Sequence, residues 1–267
     1  MLSDDRRRTI ERYEGKWAEV RDFAAGLVAA GERDLSRVAR LVEAEERGLS
    51  LEPLAGIALG TRVTLPRAAM IGARRDLIQR ILLDACAPDV DLVVELGSGG
   101  GINLVNLHLW GGPRVPYYAL EPAESGRACT DVLAALEPDL DLTTAPYDYE
   151  RPDYGVLPAG NAHVLVFSVH SIEQVTDLPR ETVTGLLGLG TRVTGVHFEP
   201  VGWQIVDEPD QASHEYALRQ RYNRNLWPLL QELERAGDLT VETVTPDLFG
   251  DKYKNPGTLI VWHAPAG

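Results

Sequence analysis

Residues Val93-Val94-Glu95-Leu96-Gly97-Ser98-Gly99-Gly100-Gly101-Ile102-Asn103 constrain this chain more than any other segment. An apolar run ends in an acid, passes through a glycine-rich turn and opens into a helical pattern. Glycines let the backbone turn sharply where a Cβ would obstruct it, and let a ligand approach closely. The helix that follows presents free N–H groups to a ligand's oxygens. A dinucleotide-binding fingerprint needs a third glycine at position 102, where this chain has Ile102. The spacing present is Glu-x-Gly-x-Gly-x-Gly, at Glu95, Gly97, Gly99 and Gly101.

The surrounding pattern places that turn in an α/β domain. From Pro88-Asp89 onward, strand and helix patterns alternate, which argues for a mainly parallel sheet with helices on both faces. Strands are expected over 91–96, 115–120, 140–145, 163–168, 193–198, 239–245 and 258–263. Helices are expected over 102–110, 124–136, 179–189 and, as one long element, 213–236. The last two strands follow one another without a helix between them, so they form an antiparallel pair at one side of the sheet. Residues 1–88 read as helices. Trp17, Val20, Ala24 and Leu27 form one apolar stripe, and Leu35, Val38, Ala39 and Val42 form another. Glu43, Glu45 and Glu46 read as a solvated face. The expected organisation is a helical cap over 1–88 and a ligand-binding body over 89–267, with an insertion at about 200–228.

The glycine segment resembles motif I of the class I S-adenosylmethionine (SAM)-dependent methyltransferases, and its downstream companions strengthen the resemblance. Glu121 ends the second strand, in Tyr117-Tyr118-Ala119-Leu120-Glu121-Pro122; a carboxylate there can accept from both hydroxyls of a ribose. Asp148 follows the third strand, in Pro146-Tyr147-Asp148-Tyr149, where the family places an acid against the adenine amino group and aromatic neighbours against its faces. Val164 to His170 occupies the motif IV position beside the transferred methyl. The resemblance implies a Rossmann-like sheet of seven strands, mostly parallel with an antiparallel last strand, below an N-terminal α-helical cap. It implies SAM as cofactor, held by Glu95, Gly97, Ser98, Gly99, Gly101, Asn103, Glu121, Pro122, Tyr147, Asp148, Tyr149 and Ser168. The implied activity is methyl transfer to oxygen or nitrogen of a small molecule or peptide, with bacterial secondary metabolism as a setting.

Ligands of such sheets bind at the carboxyl ends of the strands, so the catalytic candidates belong there. His170, Glu173 and Gln174 share one face if a helix starts at His170. An imidazole titrates near neutrality and can take a proton from a hydroxyl or ammonium nucleophile, with Glu173 orienting it. Glu199, in His197-Phe198-Glu199-Pro200, is a third catalytic candidate: it holds a cationic substrate, assists its deprotonation or organises its loop. His197, at the end of the fifth strand, and Trp203, Tyr216 and Tyr222 of the aromatic insertion are offered as substrate contacts. Arg62 and Arg67 are either a clamp for a substrate carboxylate or surface residues. No standard metal spacing joins the histidines and acids, so no metal is expected.

Charge distribution narrows the partners. The net charge is −14, yet residues 1–90 carry 15 basic and 15 acidic side chains, so the whole excess lies in 91–267. A body that acidic lacks the basic footprint of a nucleic-acid binder. Cys86 and Cys129 show no metal or redox spacing, and no apolar run is long enough to span a membrane. A cytoplasmic protein is expected, with oligomeric state left open. Two other readings stay open: an aminopropyl transferase of the polyamine type, which suits an acidic body, and a non-catalytic SAM-binding regulatory partner.

Overall fold

The computed structural model describes residues 2–264. Two helices lead, α1 (Asp4–Ala29) and α2 (Leu35–Arg47). Ser3 caps α1 by accepting from the Arg6 N–H, and Asp34 caps α2 by accepting from that of Arg37, so each start satisfies an otherwise free donor. The apolar stripes predicted for both helices are the faces they bury.

The N-terminal region is not helical throughout. Strands β1 (Pro53–Ala58) and β2 (Thr61–Pro66) form an antiparallel hairpin before α3 (Arg67–Ala85). Leu59 and Gly60 turn it with φ of 50° and 70°, both in the left-handed region that two-residue hairpin turns require. Leucine is an unusual residue there, which is why the sequence gives no Asn-Gly-like hairpin signal.

The body then alternates β3 (Leu92–Leu96), α4 (Ile102–Leu109), β4 (Tyr117–Leu120), α5 (Glu124–Ala134), β5 (Leu142–Ala145), β6 (Asn161–Val169), α6 (Arg180–Leu187) and β7 (Gly190–Glu199). It closes with α7 (Gln211–Gln220), α8 (Leu226–Ala236), β8 (Thr240–Gly250) and β9 (Gly257–Ala264). Among the described residues, nine strands form one sheet in the order β2-β1-β8-β9-β7-β6-β3-β4-β5. The expected seven are present, with β9 antiparallel to β7; the hairpin, paired through β1 to β8, raises the count to nine. Alternate residues of β3 enter separate cores: Val93 packs with α1 to α5, while Leu92 and Val94 pack with α6 and α8.

The single long helix expected over 213–236 is two. Arg221 takes a left-handed φ of 54°, and the wholly buried Asn223 accepts from the backbone N–H groups of Asn225 and Leu226 while donating to the Val175 carbonyl. That side chain starts α8 afresh. No described helix is long and apolar enough to cross a membrane.

Candidate active site

Register brings the site together. Leu96 pairs with Leu120 on one side and Ser168 on the other, and Ser168 pairs with His197, so the segments that follow these strands emerge at one edge of the sheet. Gly97, Gly99 and Gly101 all have positive φ (67°, 56° and 75°), so the sharp turn out of β3 needs glycine at each. A cleft of about 260 Å³ opens over that turn.

Of the residues singled out from sequence, Glu95, Gly97, Ser98, Gly99, Asn103, Glu121, Pro122, Tyr149, His170 and Glu173 line this cleft. Glu95 is buried; one oxygen accepts from the Asn103 amide at 2.7 Å, and the other has no partner. Burial pushes its carboxyl up to about 8. Glu121 accepts from the Gly99 and Ala123 backbone N–H groups at 2.8 and 2.9 Å. Burial raises its pKa, and those two donors work against the rise. Tyr149 and Ser171 meet through their hydroxyls at 2.7 Å, and both reach the Leu96 carbonyl.

His170 leaves β6 with a left-handed φ of 51°. Its Nδ1 lies 3.1 Å from Glu173 Oε2, its ring meets Phe198 edge-on, and its buried Nε2 has no partner. Gln174 and Asn255 also donate to Glu173. A neutral imidazole that donates from Nδ1 to that carboxylate keeps Nε2 as an acceptor on the cleft wall. This arrangement turns one ring nitrogen of a carboxylate-oriented histidine toward the cleft. It arises on a single turn of 3-10 helix, Ile172–Gln174, rather than on the α-helix expected.

Three candidates lie behind this pair and do not line the cleft. The Trp262 indole N–H donates to His197 Nε2 at 3.0 Å, which leaves His197 Nδ1–H to donate to Ser168 Oγ at 2.9 Å. Ser168 lies beside Glu199 and works against the rise of its pKa. Glu199 is fully buried and accepts from the backbone N–H groups of Ser171, Ile172 and Glu173, so it holds the turn that carries His170 and Glu173. Burial, then the Glu173 charge, pushes Glu199 up to about 8, and burial pushes His197 down to about 4. Ser168, His197 and Glu199 thus form a supporting chain, with no open face toward a ligand.

The remaining candidates are engaged elsewhere. Gly101 packs against Thr130 behind the loop. Tyr147 bonds Tyr154, and Asp148 is paired with Arg6 of α1 at 2.6 Å, outside the cleft. Trp203 stacks on His214 and Tyr216 meets Tyr222, so the aromatics of the insertion pack on one another. Arg62 pairs with Asp210, and Arg67 donates to the Arg47 carbonyl.

What the sequence did not reveal is the far wall. Helix α1 lies across the glycine loop: a Cβ at Gly99 would fall 2.3 Å from the Trp17 ring, and Lys16 sits 4.4 Å over that ring while pairing with Glu46. Tyr13 joins them, its hydroxyl pushed up to about 12 by burial and then by the Glu173 charge. Glu43 and Glu46, expected in solvent, face the cleft with Arg47, Arg74 and Arg75 because α2 and α3 close its end. Asp251, Lys252 and Asn255 complete the wall from the β8–β9 loop.

No protein-family model matches the chain, and no curated protein matches it. Solved structures do. A geranyl diphosphate methyltransferase, solved with geranyl diphosphate and sinefungin, is 15% identical over 84% of this chain and 92% of its own, with a TM-score of 0.51. Geranyl diphosphate C-methyltransferase from Streptomyces coelicolor A3(2), solved with Mg2+, geranyl diphosphate and S-adenosyl-L-homocysteine, is 12% identical, covering 75% of this chain and 82% of its own, also at 0.51. At such identities the likeness is one of fold.

Proposed function

The fold is that of the class I SAM-dependent methyltransferases, and on it we propose that this chain is itself a SAM-dependent methyltransferase acting on an oxygen or nitrogen of a small molecule or peptide. One observation carries the reading: the glycine loop with Glu121 and the His170–Glu173 pair open onto the same cleft. The two fold neighbours act on geranyl diphosphate, which favours a small-molecule acceptor over a peptide.

The residues present fit the cofactor. Glu95 Oε2 and Ser98 Oγ are buried without partners on the cleft wall beside the glycine turn, as groups awaiting a polar ligand would be. Glu95 suits an ammonium group, Glu121 the hydroxyls of a ribose, and the loop N–H groups further ligand oxygens. Asp148 is the exception, since Arg6 already holds it. Bound there, the cofactor would supply a methyl group activated by a sulfonium leaving group.

What remains for the protein is alignment and the acceptor's proton. His170 Nε2 accepts that proton as the acceptor's lone pair forms the new bond to carbon. Glu173 fixes the ring and stabilises the imidazolium. Glu199, reached from Trp262 through His197 and Ser168, holds the backbone of the turn so that Nε2 keeps its aim. The test is incubation of the chain with methyl-labelled SAM and a fractionated extract of producing cells. A labelled O- or N-methyl product is expected, and the absence of label in every fraction would contradict the reading.

A further inference from the structure

At the end of the cleft formed by α2, α3 and the β8–β9 loop, one arginine is left without a paired acid. Arg75 pairs with Glu43 at 3.0 Å, Lys16 with Glu46 at 2.9 Å and Arg47 with Asp251 at 3.6 Å. Those pairs engage Glu43, Glu46 and Asp251, and Arg75 also reaches exposed Asp76 at 3.0 Å. Arg74 is left over. It is 5% exposed, lines the cleft, and makes no ion pair or side-chain hydrogen bond with any described residue. A guanidinium is a fork of five donors with no ordinary way to shed its charge, and Arg74 holds its own at the cleft wall with no acceptor paired to it. Its neighbour Arg47 adds repulsion, and exposed Lys252 adds further charge at the same end. Such groups recur where a site is built for a planar or tetrahedral oxyanion.

The Arg74 charge reaches Glu95 on the cofactor wall and Asp251 of the β8–β9 loop alike. Asp251 feels the charges of Arg74, Arg47 and His170 together, and Asn255 of the same loop donates to Glu173 at 3.3 Å. The loop thus joins the arginine cluster to the proton-accepting pair. We propose that Arg74 is an oxyanion-binding group for the methyl acceptor, whose carboxylate or phosphate it holds while the accepting atom lies at His170. This rests on the methyltransferase reading and adds a substrate class to it: acidic acceptors, in a protein whose overall charge is strongly negative.

The test uses the full chain saturated with S-adenosylhomocysteine and, as probes, sodium benzoate and inorganic phosphate followed by calorimetry. Wild type binds at least one anion in the millimolar range, Arg74→Gln weakens it about tenfold or more, and Arg74→Lys restores part of the affinity. S-adenosylhomocysteine affinity stays within about threefold in Arg74→Gln. Wild type binding neither anion at about 50 mM overturns the proposal. So does an Arg74→Gln variant that loses S-adenosylhomocysteine while keeping the anion, because the guanidinium then serves the cofactor's own carboxylate. Arg74→Met separates function from folding: without anion its Tm is expected to equal or exceed that of wild type, and a drop of about 10 °C or more makes Arg74 structural. Should wild type bind no S-adenosylhomocysteine, the cofactor reading fails first, and the same titrations on the free chain still decide the anion site.

Discussion

His170 is a strained residue at the mouth of a strand, its Nδ1 on a carboxylate and its Nε2 on a cleft wall. Non-glycine residues at positive φ persist only where their surroundings impose them, and here Glu199 imposes the turn. His170→Ala should lower the single-turnover rate of methyl transfer about 10²- to 10⁴-fold, the usual contribution of an oriented base. S-adenosylhomocysteine affinity should be little changed, and a variant retaining full turnover would remove His170 as the base. Gly99→Ala should destabilise the fold, since alanine at φ 56° costs about 1–2 kcal/mol before any contact with Trp17. Chemical denaturation measures it; unchanged stability would contradict the packing described. These residues were legible in the sequence because the turn geometry admits only glycine and the strand end exposes whatever follows it. Arg74 was not legible, because a helical arginine reads as surface until the partner helices are placed.

The Trp262–His197–Ser168–Glu199 chain belongs to β6, β7 and β9 jointly and gives the protein a pH dependence with a definite sign. His197 is buried neutral, with its folded pKa near 4 against about 6.5 when unfolded. The unfolded state therefore binds the proton more tightly, so this contribution is complete above about pH 6.5 and is lost as pH falls toward 4, by about 3 kcal/mol. Glu95 and Glu199, raised to about 8, act oppositely: their burial costs least below the unfolded carboxyl pKa and most above 8. Replacing His197 with Gln should flatten the acid limb of the stability curve, and Glu95→Gln the alkaline limb, both measured by urea unfolding at several pH values. Curves that parallel wild type would contradict these environments. Element by element, the strands and helices of 89–200 were readable from alternation. The hairpin at 53–66 was hidden by its Leu-Gly turn, and the break between α7 and α8 by the helical spacing of Tyr222, Leu226, Leu229, Leu230 and Leu233.

Across the whole molecule, the expected division into a neutral N-terminal section and an acidic body conceals how the two combine. The N-terminal section does not sit apart as a cap: its hairpin extends the sheet, and α1 lies on the glycine loop through Trp17. The cleft accordingly takes its glycine turn, Glu121 and His170 from the body, and most of its cations from the N-terminal section. Trp17→Ala should destabilise the protein by about 3–5 kcal/mol, as for other large buried side chains, and weaken S-adenosylhomocysteine binding, whereas an independent cap would leave the body's affinity intact. The central claim is that the glycine loop and Glu121 form a SAM site, and calorimetric titration with S-adenosylhomocysteine tests it most directly. Wild type should bind one equivalent, and Glu121→Ala should bind about tenfold or more weakly, as loss of hydrogen bonds to a charged group implies. No binding by wild type at about 1 mM ligand, or equal binding by Glu121→Ala, would contradict it.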